Sequence, residues 1–128
     1  MIVPTFNFNG KCSEAIAFYE TVFKPKNKEV LTYGSIPGVS EGMKDWIFSA
    51  KMELDGFLVF FADSANEIKE GTTVTVTVTC PSPGRVTELF NKLLEGGSVL
   101  VELSPKPFSQ MHGCVKDKFG VTWQIMVQ

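Results

Sequence analysis

Asp117-Lys-Phe-Gly-Val-Thr-Trp-Gln-Ile-Met-Val-Gln128 decides how the rest of the chain is read. Asp117 and Gly120 bracket a tight reversal, and Gly120 tolerates a positive φ that other residues resist. The residues after it alternate. Val121, Trp123, Ile125 and Val127 share one face, and Thr122, Gln124, Met126 and Gln128 share the other. The first face is wholly apolar and needs a cover. The second, centred on Gln124, is mixed and suits the wall of a cavity. A tail is usually frayed unless a sheet holds it, and this one has the composition of a central strand.

Working outward, the same half of the chain carries a helix. Ser82 is the expected N-cap and Pro83 the first helical residue. The helix runs to Glu95, stops at Gly96-Gly97, and presents Val86, Leu89, Phe90, Leu93 and Leu94 as one apolar stripe. Before it, residues 72–80 alternate Thr with Val, so Val74, Val76 and Val78 face inward and Thr73, Thr75, Thr77 and Thr79 lie on the other face. Ser98–Leu103 and Met111–Val115 read as strands separated by a loop holding Pro105 and Pro107.

The first half repeats this plan. Residues 3–9 alternate, with Phe6 and Phe8 opposite Thr5 and Asn7. Ser13–Phe23 is helical, with Ala15, Phe18, Tyr19, Val22 and Phe23 as its stripe, and Pro25 ends it. Each stripe residue lies 71 positions before its counterpart in the second helix. A short strand is expected from Glu29 to Gly34, a mobile loop over 35–44, and a hairpin of Asp45–Leu54 and Phe57–Asp63 around Asp55-Gly56. The expected fold is therefore α+β: two βαβββ modules, residues 1–66 and 71–128, forming one domain with a cup-shaped mixed sheet and one helix packed on each half.

Composition narrows the function. The chain has 128 residues, a net charge of −2 and one arginine, Arg85, which speaks against nucleic acid as a partner. No apolar run reaches the roughly 18 residues of a membrane helix, and no signal-peptide pattern is seen. Cys12, Cys80 and Cys114 are far apart and odd in number, as expected of reduced thiols in the cytoplasm.

Gly10 followed by Glu14-Ala15-Ile16-Ala17-Phe18-Tyr19, Gly96-Gly97 after the second helix, and Asp117-Lys-Phe-Gly120 with Trp123 together resemble the PhnB-like branch of the vicinal oxygen chelate superfamily, the glyoxalase and bleomycin-resistance fold. The resemblance covers the whole chain. Lys118 stands where that branch commonly has Pro. The resemblance implies a cup, a dimer and, in the superfamily's enzymes, a divalent metal held by His, Glu or Gln from strands one, four, five and eight. Of those positions only Gln124 carries a competent group here, so no metal and no cofactor are expected. Some PhnB-like sequences bear a ubiquinone-pathway methyltransferase label, but the chain lacks the Gly-rich strand-to-helix turn of a nucleotide-like cofactor site.

Strand phase makes Thr5, Asn7, Phe61, Thr75, Thr77 and Gln124 the expected lining of the cup, with Val3, Asp63 and Thr73 as further candidates. His112, the sole histidine, is either an ordinary polar residue or a pocket-lining hydrogen-bond or acid/base group. His112 and Cys114 share a face, which allows a Cys–His nucleophile to be considered, without a third orienting group. Cys12, near a helix start, reads as packing, and Arg85 as a solvated side chain or an anion partner. The favoured reading is a protein binding a small apolar or aromatic molecule without a metal. The alternative is a metal-dependent lyase, isomerase or dioxygenase. A homodimer is expected, with loop 35–44 near the partner's pocket and Met43, Trp46 and Ile47 as apolar anchors.

Overall fold

Asp55 and Gly56 have φ of 50° and 85°, the paired positive values of a two-residue turn whose twist matches its strands. This turn joins β3 (Ile47–Leu54) to β4 (Phe57–Asp63) in antiparallel register, Leu54 opposite Phe57. It anchors the first of two units, Met1–Lys69 and Glu70–Gln128, in a computed structural model describing all residues 1–128.

In the first unit, β1 (Thr5–Phe8) is followed by α1 (Cys12–Phe23) and β2 (Lys26–Thr32). Its sheet order is β1-β4-β3-β2, with β1 parallel to β4 and the other pairs antiparallel. α1 buries Ala15, Phe18, Tyr19, Val22 and Phe23, the expected stripe. Its start is held from across the sheet. Lys11 provides no side-chain cap, and Asp63 Oδ1 instead accepts from the backbone N–H groups of Gly10 (2.8 Å) and Cys12 (3.0 Å). A carboxylate at a helix N-terminus satisfies orphan donors and complements the dipole. Lys24, left-handed at φ 47°, ends the helix. The second strand starts earlier than expected, at Lys26, because Asn27 takes φ 54° and the register with β3 shifts there as at a bulge. Residues 35–44 are not featureless: short 3₁₀ turns form at Tyr33–Ser35 and Glu41–Met43.

The second unit repeats the arrangement. β5 (Val76–Cys80), α2 (Pro83–Leu94), β6 (Ser98–Lys106), β7 (Ser109–Lys116) and β8 (Thr122–Val127) form a sheet ordered β5-β8-β7-β6, with β5 parallel to β8. The open, mixed sheets with one helix each are the expected α+β pair of βαβββ modules. Ser82 caps α2 by accepting from Arg85 N, and Val86, Leu89, Phe90 and Leu93 are buried beneath it. Gly113 lets α2 approach: a Cβ there would lie 2.6 Å from the Phe90 ring.

Two boundaries in the second unit bear on the candidate lining. β5 begins at Val76, leaving Thr73 and Thr75 off the strand and Val74 77% exposed. Alternation alone does not make a strand; the register that sets Val76 opposite Trp123 brings Thr75 level with Thr122, where β8 begins, so residues before Thr75 have no strand to pair with. The Pro105/Pro107 loop shrinks to a turn at Pro107-Phe108, and Pro105 lies within β6. β6 is an edge strand with an irregular register, where a residue lacking an N–H is tolerated.

Candidate functional site

Each sheet has a helix face and an open face. In the second unit Val115, Trp123 and Ile125 are buried on the helix side. The opposite parity puts Thr77, Gln124 and Cys114 in one cross-strand row, and Thr79, Met126, His112 and Ser104 in the next. Gln124 joins the rows. Its Nε2 donates to Thr77 Oγ1 (2.9 Å), and its Oε1 faces His112 Nε2 at 2.8 Å. The structure thus brings together three of the sequence-derived candidates, Thr77, His112 and Gln124, as one hydrogen-bonded chain. Thr75 does not join them, since it precedes β5 and is exposed.

His112 is more enclosed than a residue on an open face should be, at 5% exposure. The Phe108 ring stands edge-on over the imidazole, 4.9 Å between centroids. Lys106 Nζ lies beside it, donating to Ser104 Oγ (2.6 Å) and to the carbonyls of Glu102, Ser104 and His112. Lys106, Ser104 and Phe108 escaped the sequence reading because their region was taken as loop. The continuation of β6 through Pro105 gives them fixed places on the sheet.

Cys114 Sγ is 4.0 Å from His112 Nε2, which already bonds Gln124. Burial pushes the Cys114 thiol up, and the charge of Lys106 offsets this only in part. An activated cysteine needs the opposite shift, so the pair lacks the character of a nucleophile and its base. Cys12 is further removed, pushed up to about 12 by burial and then by the Asp63 charge.

In the first unit Thr5 and Asn7 are exposed on the open face, opposite Phe60 and Ala62 of β4. Phe61 lies on the other side and corrects the expected lining. It is 1% exposed and packs its ring against Phe6 (5.5 Å) and Tyr19 (6.0 Å) under α1. The two-residue turn sets this phase: pairing Leu54 with Phe57 puts Phe61 opposite Ala50 in the core and Phe60 opposite Lys51 on the open face. Asp63, also a lining candidate, is likewise on the core side. Besides capping α1 it accepts the Ile47 N–H through Oδ2 (2.9 Å). Ile47 is 4% exposed, hence a core residue of its own unit and not an interface anchor. Trp46 rests against Gly10 and meets Tyr33 edge-on.

The metal implied by the superfamily meets an unsuitable donor set. No three His, Cys, Asp or Glu side chains converge where they could hold an ion. His112 Nε2 is engaged by Gln124; on the first unit's open face Thr5, Asn7, Phe60 and Ala62 carry no carboxylate or imidazole, while Glu53 accepts from Asn27 and Glu29 is paired with Lys51. No helix is long and apolar enough to cross a membrane.

Comparison with known proteins agrees with this architecture. The chain is 30% identical to protein PA1353 of Pseudomonas aeruginosa, covering 100% of this chain and 97% of that one, with a TM-score of 0.89. A PhnB protein from Bacillus cereus is 27% identical over 99% of this chain and 98% of its own, with a TM-score of 0.82. The fosfomycin resistance protein FosX of Listeria monocytogenes, complexed with Mn(II) and 1S,2S-dihydroxypropylphosphonic acid, shares the fold alone, at 12% identity, 100% and 91% coverage and a TM-score of 0.67. No curated protein matches the chain. Residues 1–126 match the family model described as 3-demethylubiquinone-9 3-methyltransferase. The chain therefore belongs to that PhnB-like family.

Proposed function

We propose that this PhnB-like protein binds a small apolar or aromatic molecule on the open face of its second sheet, without a metal and without covalent chemistry. The observation that carries this is the Thr77–Gln124–His112 chain. It sets a hydroxyl, an amide and an imidazole beside Met126 and the aromatic edge of Phe108, the mixture that small-ligand sites use. Thr5, Asn7 and Phe60 offer a similar mixture on the first unit's open face. The family model's description names a methyltransferase, but the groups gathered here include no activated nucleophile or metal cradle to support such a transfer. The mismatched donor set is also why a metal-dependent lyase, isomerase or dioxygenase is the weaker reading.

The test is a thermal-shift screen of aromatic fragments. A ligand at 100 times its Kd adds about 2.7 kcal/mol of stability, and that gain should shrink in Gln124→Ala. Stoichiometric metal retained after chelator-free purification would overturn the proposal.

A cytoplasmic homodimer completes it. The free thiols Cys12, Cys80 and Cys114 suit a reducing compartment. Edge strands β2 and β6 expose Val30, Leu31, Val99, Leu100 and Val101, and open apolar edges invite pairing.

A further inference from the structure

We propose that His112 Nδ1 is the acceptor for a hydroxyl or N–H of the bound molecule, so that the ligand is an apolar or aromatic body carrying a hydrogen-bond donor, such as a phenol. This rests on the open-face binding proposed above and specifies the chemistry recognised there.

The protonation pattern follows from the chain of bonds. Gln124 Nε2 donates to Thr77 Oγ1, which turns Oε1 toward His112. His112 Nε2 is then the donor. In a neutral imidazole the other nitrogen is an acceptor, and His112 Nδ1 is buried with no hydrogen-bond partner in the protein. Buried polar atoms are nearly always paired, and leaving one unpaired is costly. Ser104 Oγ sits beside this histidine but receives Lys106 Nζ at 2.6 Å. Lys106 meanwhile is wrapped by four protein oxygens, so it is not free to receive a ligand carboxylate. Beside a neutral imidazole a carboxylate at Nδ1 would set lone pair against lone pair, and a hydrocarbon would leave the atom as it is. A hydroxyl or N–H donor answers it. Phe108, which shields the imidazole, is itself 60% exposed. Its ring can yield to an aromatic ligand without opening the core.

Since the chain has one histidine, ¹⁵N labelling of histidine gives a two-nitrogen spectrum with no assignment to make. The free protein is expected to show the Nε2–H tautomer. Thr77→Val, at an exposed strand position, releases the Gln124 amide and should yield a tautomer mixture. The probes are p-cresol, p-xylene and p-toluate, alike in shape. p-Cresol should move the Nδ1 resonance and bind about fivefold or more tightly than p-xylene, with p-toluate weaker than p-cresol. An Nδ1–H tautomer in the free protein would overturn the inference. So would equal binding of p-cresol and p-xylene with Nδ1 unmoved, and that result would leave the binding proposal intact. If none of the three probes binds, the open-face proposal fails and this inference with it.

Discussion

Replacing Asp117 with Ala should cost about 3–5 kcal/mol, a large part of the roughly 5–15 kcal/mol that holds a domain of this size. The carboxylate is 3% exposed. Oδ1 accepts from the Phe119 N–H (2.9 Å) and the Val121 N–H (3.0 Å), and Oδ2 from Trp123 Nε1 (2.8 Å). Hydrogen bonds to a charged group contribute about 1.5–3 kcal/mol each, and a buried donor left unpaired costs about 1–3 kcal/mol. The three donors are not equivalent. Phe119 and Val121 are half-buried, so their amides regain water when the carboxylate goes. Trp123 is 2% exposed and its indole N–H cannot. Part of the cost should therefore belong to the Asp117–Trp123 pair alone. Trp123→Phe removes the donor while keeping most of the buried ring, so Asp117→Ala should be less damaging in that background, by about 1–2 kcal/mol. Equilibrium urea titration of the two single variants and the double variant measures both terms. A loss below about 1 kcal/mol for Asp117→Ala, or strict additivity in the cycle, would refute the view that this acid organises the last strand.

Other outcomes can be checked more simply. Gly113→Ala should destabilise by about 1–3 kcal/mol, because its Cβ would lie 2.6 Å from Phe90; combining it with Phe90→Leu should recover part of the loss in the same titration. Native-state alkylation near neutral pH should leave Cys12 unmodified, since burial pushes its thiol up to about 12, whereas half-exposed Cys114 reacts first, though slowly. The raised folded-state pKa of Cys12 also fixes a sign: its contribution is fully present below the unfolded value of 9.0 and is lost as pH rises toward about 12. Cys12→Ala should flatten that alkaline decline in denaturation curves. Sedimentation equilibrium should give twice the chain mass, and a concentration-independent 14.1 kDa would refute the dimer.

Much of the fold was legible because two periodicities carry it. The 3.6-residue stripes of α1 and α2 and the period-two strands were visible in the residues, and Asp55-Gly56 fixed a hairpin whose bounds on β4 were right to the residue. The phase of β4 was legible too, though it was misread. Ala50, Met52 and Leu54 alternate with Ser49, Lys51 and Glu53, and a two-residue turn carries that polar face onto Phe60, not Phe61. The failures on β5 and β6 have another cause. Whether Thr72–Thr75 is strand depends on where its partner begins, and whether Pro105 can sit in a strand depends on which edge it occupies. Neither is a local property. The helix cap from Asp63 crosses 53 residues of sequence to reach Gly10 and was hidden for the same reason.

The acids of this protein show how that long-range pairing bears on function. Asp63 and Asp117 are both 3% exposed, and in isolation either would attract a catalytic assignment. Each is instead a hub for three donors: Asp63 for the amides of Gly10, Cys12 and Ile47, and Asp117 for two amides and the Trp123 indole. A carboxylate whose oxygens are committed in this way has no lone pair directed at a substrate and no freedom to approach one. With both buried acids spent on architecture and the Cys12 and Cys114 thiols pushed up by burial, His112 is the group on the candidate face that keeps an imidazole nitrogen, Nδ1, without a partner in the protein. One imidazole backed by an amide and a hydroxyl can orient and select a ligand by hydrogen bonding. Its place in the proposed binding reading is that of the selecting group, through the nitrogen that Gln124 leaves unbonded.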